Sequence, residues 1–186
     1  MSWHSWSALG EAGFVLPMIA LLGVLFQLSH SALFASWLAR LWSGGLIVLA
    51  SKVAYMGWHI GIPAWHFTGI SGHAYLASAL LSLWLLWAWP NALGWLLTLS
   101  GCTLVAISRV ALGAHTPSEV ILGVMLGLLV GAQAWHAHQR NPVALSLGTI
   151  PALPVGLALA NPGWFAWLQT YPYELRLSLW LRHLLT

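Results

Sequence analysis

Charge is almost absent from this chain. Asp, Glu, Lys and Arg together make up 5% of its 186 residues, while 60% are hydrophobic. A water-soluble domain carries about 25% charged residues. Polar groups this scarce cannot cover a compact domain of this size, so its outer face is expected to meet lipid. Apolar stretches near the ~20-residue spanning length recur at about 12–28, 41–58, 74–89, 93–109 and 117–135. A sixth, 143–160, contains Pro151, Pro154 and Gly156. It either crosses as a kinked helix or only dips into the bilayer. The expected fold is all-α: a single membrane-embedded domain over residues 1–186, a polytopic helical bundle of five to six transmembrane helices.

The remaining composition narrows the class further. Among fourteen tryptophans, Trp3, Trp6, Trp87, Trp89, Trp164 and Trp167 fall near helix ends, where an indole sits well among headgroups. After Pro162, the residues Glu174, Arg176 and Arg182 interleave with Leu and Trp. Residues 163–186 therefore read as an amphipathic tail in the interface. The net charge of +3 is too small and scattered for a nucleic-acid partner. Cys102 is the single cysteine, which excludes a disulfide framework and a cysteine metal site. The N-terminus lacks the basic n-region of a signal peptide, so the first helix is expected to stay as an anchor.

Alternating helix direction brings the end of the second span, the start of the third, the end of the fourth and the start of the fifth to one side. The opposite side carries Arg40 and the basic stretch 136–140. By the positive-inside rule that opposite side is cytoplasmic, and the first-named face is extracytoplasmic. Arg176 and Arg182 oppose this orientation if the sixth span crosses.

Most of the chemistry-bearing residues lie on that one face: Lys52, His59, His66, Ser71, His73, Ser108, Arg109, His115 and Glu119. A charge inside a span costs roughly 2.5 to 3.5 kcal/mol, so such residues need partners and mark sites. Lys52 and His59 are seven apart, about two turns on one helix face. Ser71-Gly72-His73 enters the third span. Ser71 can cap it, and the free N–H groups there suit an anion. Ser108-Arg109 closes the fourth span, and His115 follows a tight loop containing Gly113. Thr116-Pro117-Ser118-Glu119 has the form of a capping box. Glu119 can serve that box, or it can hydrogen-bond one nitrogen of His115 and strengthen the other as a nucleophile. The two roles are compatible.

Lys52-x6-His59, then Ser71-Gly72-His73, then Ser108-Arg109-x5-His115-x3-Glu119 resembles the phosphatidic acid phosphatase type 2 (PAP2) family. Its pattern is Lys-x6-Arg-Pro, Pro-Ser-Gly-His and Ser-Arg-x5-His-x3-Asp. Three positions depart from it: His59-Ile60 replaces Arg-Pro, Ile70 replaces Pro, and Glu119 replaces Asp. The resemblance implies an integral membrane lipid phosphatase without a cofactor. It implies that His115 attacks phosphorus to give a phosphohistidine, and that His73 protonates the leaving oxygen. Lys52, Arg109, Ser71, the Gly72 amide and Ser108 then hold the phosphate, with His59 in the arginine's place. Three acidic residues in all give no paired carboxylates for magnesium, so no metal is expected. Polyprenyl phosphate or diphosphate, recycled in envelope synthesis, is the first substrate expectation. Phosphatidylglycerophosphate, phosphatidate and lipid A phosphates are the alternatives.

Two readings from other classes stand beside this one. His59, His66 and His73 recur every seven residues, as in a metal or haem protein, but Pro63 and Gly69 interrupt a common helix. The substitutions at His59 and Glu119 also suit an inactive lipid-phosphate binder or transporter on the same scaffold.

Overall fold

The structure, a computed structural model, describes residues 3–27, 31–140 and 171–185. Those residues form seven α-helices and no strand. The helices are α1 (Trp3–Ser7), α2 (Ala12–Gln27), α3 (Ser31–Trp58), α4 (Gly72–Ala88), α5 (Ala92–Ala111), α6 (Pro117–Arg140) and α7 (Tyr171–Leu185). Short 3-10 turns lie at Ala8–Gly10 and Pro63–Trp65. The all-α expectation holds. Two helices, Phe34–Trp58 and Ala92–Ala111, are long and apolar enough to cross a membrane, and Gly72–Leu86 and Pro117–Gln133 are shorter apolar helices. The sixth expected span, 143–160, lies outside the described residues, as do Trp164 and Trp167.

Local signals set the helix ends. Ser71 caps α4, its Oγ accepting from the Ala74 amide at 3.5 Å. Asn91 caps α5 with Oδ1 accepting from the Leu93 and Gly94 amides at 3.0 and 3.3 Å, and Pro90 separates it from α4. Helix α3 runs further back than the hydropathy of 41–58 suggests, because 31–40 has no breaker. It ends at Trp58, where His59 takes a left-handed φ of 57°. Helix α6 continues through the polar stretch 136–140, since helical backbone needs no apolar side chains.

Helix α4 is the core. From Ala74 to Trp84 every residue except Leu76 is buried, and it packs on α6 and α5. Where it meets the α6 glycines it presents small residues, Ala74, Ser78, Ala79 and Ser82, while Tyr75, Leu80, Leu83 and Trp84 fill the rest of its buried surface. Large apolar side chains point outward: Trp42 and Leu46 on α3, Leu96 on α5 and Met125 on α6 are all more than 60% exposed. Large apolar groups on the outer faces, with small residues at the closest helix–helix contact, are the pattern expected of helices packed in lipid. Not every tryptophan is at an interface, since Trp37 and Trp84 are buried. The tail helix α7 lies against α3, with Ser178 fully buried beside Gly57.

Gly123, Gly127 and Gly131 line the α6 face that meets α4, and that contact is close. A Cβ on Gly127 would lie 2.5 Å from the Tyr75 carbonyl oxygen, 2.7 Å from Ser78 Cβ and 2.8 Å from the Ala79 amide nitrogen. Backbone atoms cannot give way, so the helices themselves must part. Alanine gains about 1 kcal/mol over glycine in helix propensity, whereas overpacking costs roughly 1 to 3 kcal/mol. Gly127→Ala is therefore expected to lower the thermal unfolding midpoint in detergent. Gly45→Ala, on α3 with nothing within 4 Å of a new Cβ, is expected to raise it. Equal effects of the two would contradict this packing.

Candidate active site

Four elements converge at one end of the bundle: the end of α3, the start of α4, the end of α5 and the α5–α6 connection. The 59–71 segment between α3 and α4 binds them together. Ile62 and Phe67 form an isolated bridge, and Gly69 reverses the chain at φ 151°. Only glycine fits there, because a Cβ would meet Lys52 Cγ at 3.0 Å and Lys52 Cα at 3.2 Å. The Ile70 amide donates to Ser51 Oγ at 2.9 Å, and the Ser71 amide donates to the Glu119 carbonyl at 3.1 Å. Thus the segment is stitched to α3 on one side and to α6 on the other.

His115 and Glu119 form the most sharply defined pair. His115 Nδ1 lies 2.7 Å from Glu119 Oε2, with side-chain exposures of 15% and 3%. A carboxylate only accepts, so the Nδ1 carries the proton and the lone pair lies on Nε2. Oε2 also accepts from the Thr116 amide at 3.2 Å. The other oxygen, Oε1, accepts from the Thr68 amide at 2.6 Å and from Thr68 Oγ1 at 2.5 Å. Both contacts expected of Glu119 are made by one carboxylate: it accepts from the Thr116 amide, as the glutamate of a capping box does, and from His115 Nδ1.

Positive charge surrounds this pair. Lys52 and Arg109 each act electrostatically on both His73 and His115. Lys52 Nζ lies 4.0 Å from where a Cβ on Gly72 would sit, so the ammonium stands over the first turn of α4. Arg109 donates from Nη1 to Ser7 Oγ at 2.6 Å, while its Nε is buried with no partner among the described residues. Lys52, Ser71, Gly72, His73, Arg109, His115 and Glu119 are thereby placed at one end of the bundle. Ser108 is fully buried there and donates within its own helix, to the Val105 carbonyl at 2.7 Å. His59 stands apart. It is exposed, follows the last residue of α3 rather than extending its face, and sets its ring 6.0 Å from that of Tyr55. His66 is also exposed, in a left-handed conformation with φ 47°. No group of three His, Cys, Asp or Glu suited to a metal ion occurs among the described residues, so the seven-residue histidine spacing is not a ligand set there.

Sequence patterns left several contributors out. Ser7 is buried at 2% exposure, and Gly10 packs directly on the His73 carbonyl. Glu11 lies close enough to act on Arg109. This N-terminal segment reaches the site only through tertiary packing, so no spacing rule could find it. Thr68 lies in irregular backbone three residues before Ser71 and has no periodic signal either.

In this all-α protein a histidine–carboxylate pair thus lies close to two cations and to a second histidine at a helix N-terminus. The chain belongs to the PAP2 superfamily, whose family model matches residues 61–142. That range holds the second and third motifs, from Ser71 to Glu119, and leaves Lys52 and His59 outside it. A protein of Klebsiella pneumoniae, named "Uncharacterized 22.5 kDa protein in cps region", is 35% identical over 176 residues, which is 88% of this chain and 84% of the relative. No solved structure matches the chain.

Burial holds the His115 pKa below its ordinary 6.5, and the charges of Arg109 and Lys52 push the same way. The hydrogen bond and negative charge of Glu119 oppose them. Histidine-selective NMR titration in micelles, with His115→Gln for assignment, should therefore give a His115 midpoint below 6.5. In Glu119→Ala the midpoint should fall further, because the one partner favouring imidazolium is gone. A midpoint that rises in Glu119→Ala would contradict the pairing.

Proposed function

We propose that this chain is an integral membrane phosphatase that hydrolyses the phosphate or diphosphate of a lipid through a phosphohistidine on His115. The observation that carries the reading is the His115–Glu119 pair at 2.7 Å with Lys52, Arg109 and His73 around it. Phosphoryl transfer needs positive charge about the equatorial oxygens and nucleophile and leaving group in line. Lys52, Arg109 and the amides at the start of α4 supply the charge, and the unpartnered Arg109 Nε suits a phosphate oxygen. His115 Nε2 attacks phosphorus as the P–O bond to the leaving group breaks, and His73, whose protonated form the negative charge of bound phosphate favours, gives a proton to the leaving oxygen. His73 then takes a proton from water, whose oxygen attacks the phosphohistidine. Inorganic phosphate leaves and His115 is restored. Ser108, with its hydroxyl proton directed to Val105, supports Arg109 through the helix. His59 is a rim group in this reading, met by substrate on its way in.

Family membership supports a phosphatase, and the outward large apolar residues of α3, α5 and α6 support a bilayer setting. Within that setting we favour the inner membrane, with the site extracytoplasmic because Arg40 and 136–140 lie toward the other end. Polyprenyl phosphate or diphosphate in envelope lipid-carrier recycling is the preferred substrate. Phosphatidylglycerophosphate, phosphatidate and lipid A phosphates are the competing ones. The cationic groups make a metal unnecessary in this scheme.

A phosphate-release screen over these lipids in detergent or vesicles tests the proposal. Wild type should release phosphate from at least one of them, with vanadate inhibiting and EDTA without effect. His115→Ala should retain less than about one thousandth of the rate, as expected on losing a nucleophile. Full activity in His115→Ala would contradict the mechanism. No release from any lipid would favour a binding or transport protein on the same scaffold.

A further inference from the structure

We infer that Thr68 is a positioning residue for the nucleophile, a clamp that holds Glu119 so that Glu119 can hold His115. The clamp rests on the reading of His115 as nucleophile. Glutamate carries one more rotatable bond than the aspartate at the matching family position, so a carboxylate at Glu119 has more ways to miss the imidazole. Thr68 removes that freedom. Its amide and hydroxyl both donate to Oε1, at 2.6 and 2.5 Å. The fork leaves Oε2 facing His115 Nδ1 and the Thr116 amide. With four donors on two oxygens, the carboxylate is directed wholly at structure and at His115, which fits it as an orienter rather than a general base.

Thr68 is itself held from both sides. Next to it, Gly69 wraps Lys52, and Ser71 is bonded to the Glu119 carbonyl. Three residues earlier, the Trp65 carbonyl accepts from Ser118 Oγ at 3.0 Å. The segment carrying Thr68 therefore links the lysine expected on phosphate to the carboxylate behind the nucleophile. A shift at either is passed to the other through about three residues of fixed backbone.

The hydroxyl also sets the strength of the pair. Donating to Oε1 draws charge from the carboxylate and weakens its hold on a protonated His115. The other charged or titratable groups facing His115 are Lys52 from α3, His73 from α4 and Arg109 from α5, and none of these changes when the hydroxyl is removed. Thr68→Val keeps the shape and the amide, so Oε2 stays on His115 Nδ1 with more charge, while Oε1 is held by one donor instead of two and the pair is oriented less tightly. It should lower kcat by roughly tenfold, as for other orienting partners one shell out, and move the acid limb of kcat/KM upward. Thr68→Ser should return both to wild type. The NMR midpoint of His115 should rise in Thr68→Val and recover in Thr68→Ser, and this readout needs no turnover, so it stands even if the phosphatase reading fails. An unchanged His115 midpoint and acid limb in Thr68→Val would overturn the clamp. So would a loss of rate without a shift that serine does not rescue, which is what a merely structural threonine gives.

Discussion

Four donors converge on the carboxylate of Glu119: the amide and hydroxyl of Thr68, the amide of Thr116 and Nδ1 of His115. Glu119 is 2% exposed, and a carboxylate that deep is tolerable only when it is fully hydrogen-bonded. The same residue accepts the Ser71 amide through its backbone carbonyl. One side chain and one peptide group thus join the start of α6, the start of α4 and the α3–α4 segment. The tautomer of His115, the placement of Ser71 and Gly72, and the path of the chain across Lys52 all follow from that junction.

The junction depends in turn on how closely α4 and α6 approach. Glycines on α6 let the α4 backbone come to contact distance over Tyr75 and Ser78, and small side chains on α4 fill the remaining space. Packing of this kind fixes an axial register as well as a distance. A slide of α6 along α4 would carry Glu119 away from Thr68 and the Ser71 amide together. The N-terminal segment completes the arrangement from the far side, with Gly10 on His73 and Ser7 on Arg109. Hence the site is built from five separate stretches of chain, and none of them contains it.

Much of this architecture is legible in the sequence, for identifiable reasons. Scarce charge and spanning-length apolar runs give the all-α class. Pro90-Asn91 and Thr116-Pro117 mark helix boundaries because proline and capping side chains act locally. The α5–α6 pair is readable because Arg109, His115 and Glu119 are close in sequence and cross only one short loop. Lys52 and His59 show where periodicity stops helping. Seven residues place both on one face only while the helix lasts, and α3 ends at Trp58. Glycines at 123, 127 and 131 carry a readable signal, since small residues four apart mark close helix packing. Thr68, Ser7 and Gly10 carry none, because their partners lie in distant segments and are chosen by tertiary packing alone.

Passage of phosphate through His115 is tested most directly by trapping the intermediate. Enzyme mixed with a radiolabelled lipid phosphate, quenched in alkali within the first turnover and digested, should carry label on the peptide containing His115. That label should survive alkali and be lost in mild acid, as a phosphoramidate bond requires. Turnover with no label on the protein, or with label on a peptide lacking His115, would contradict the account.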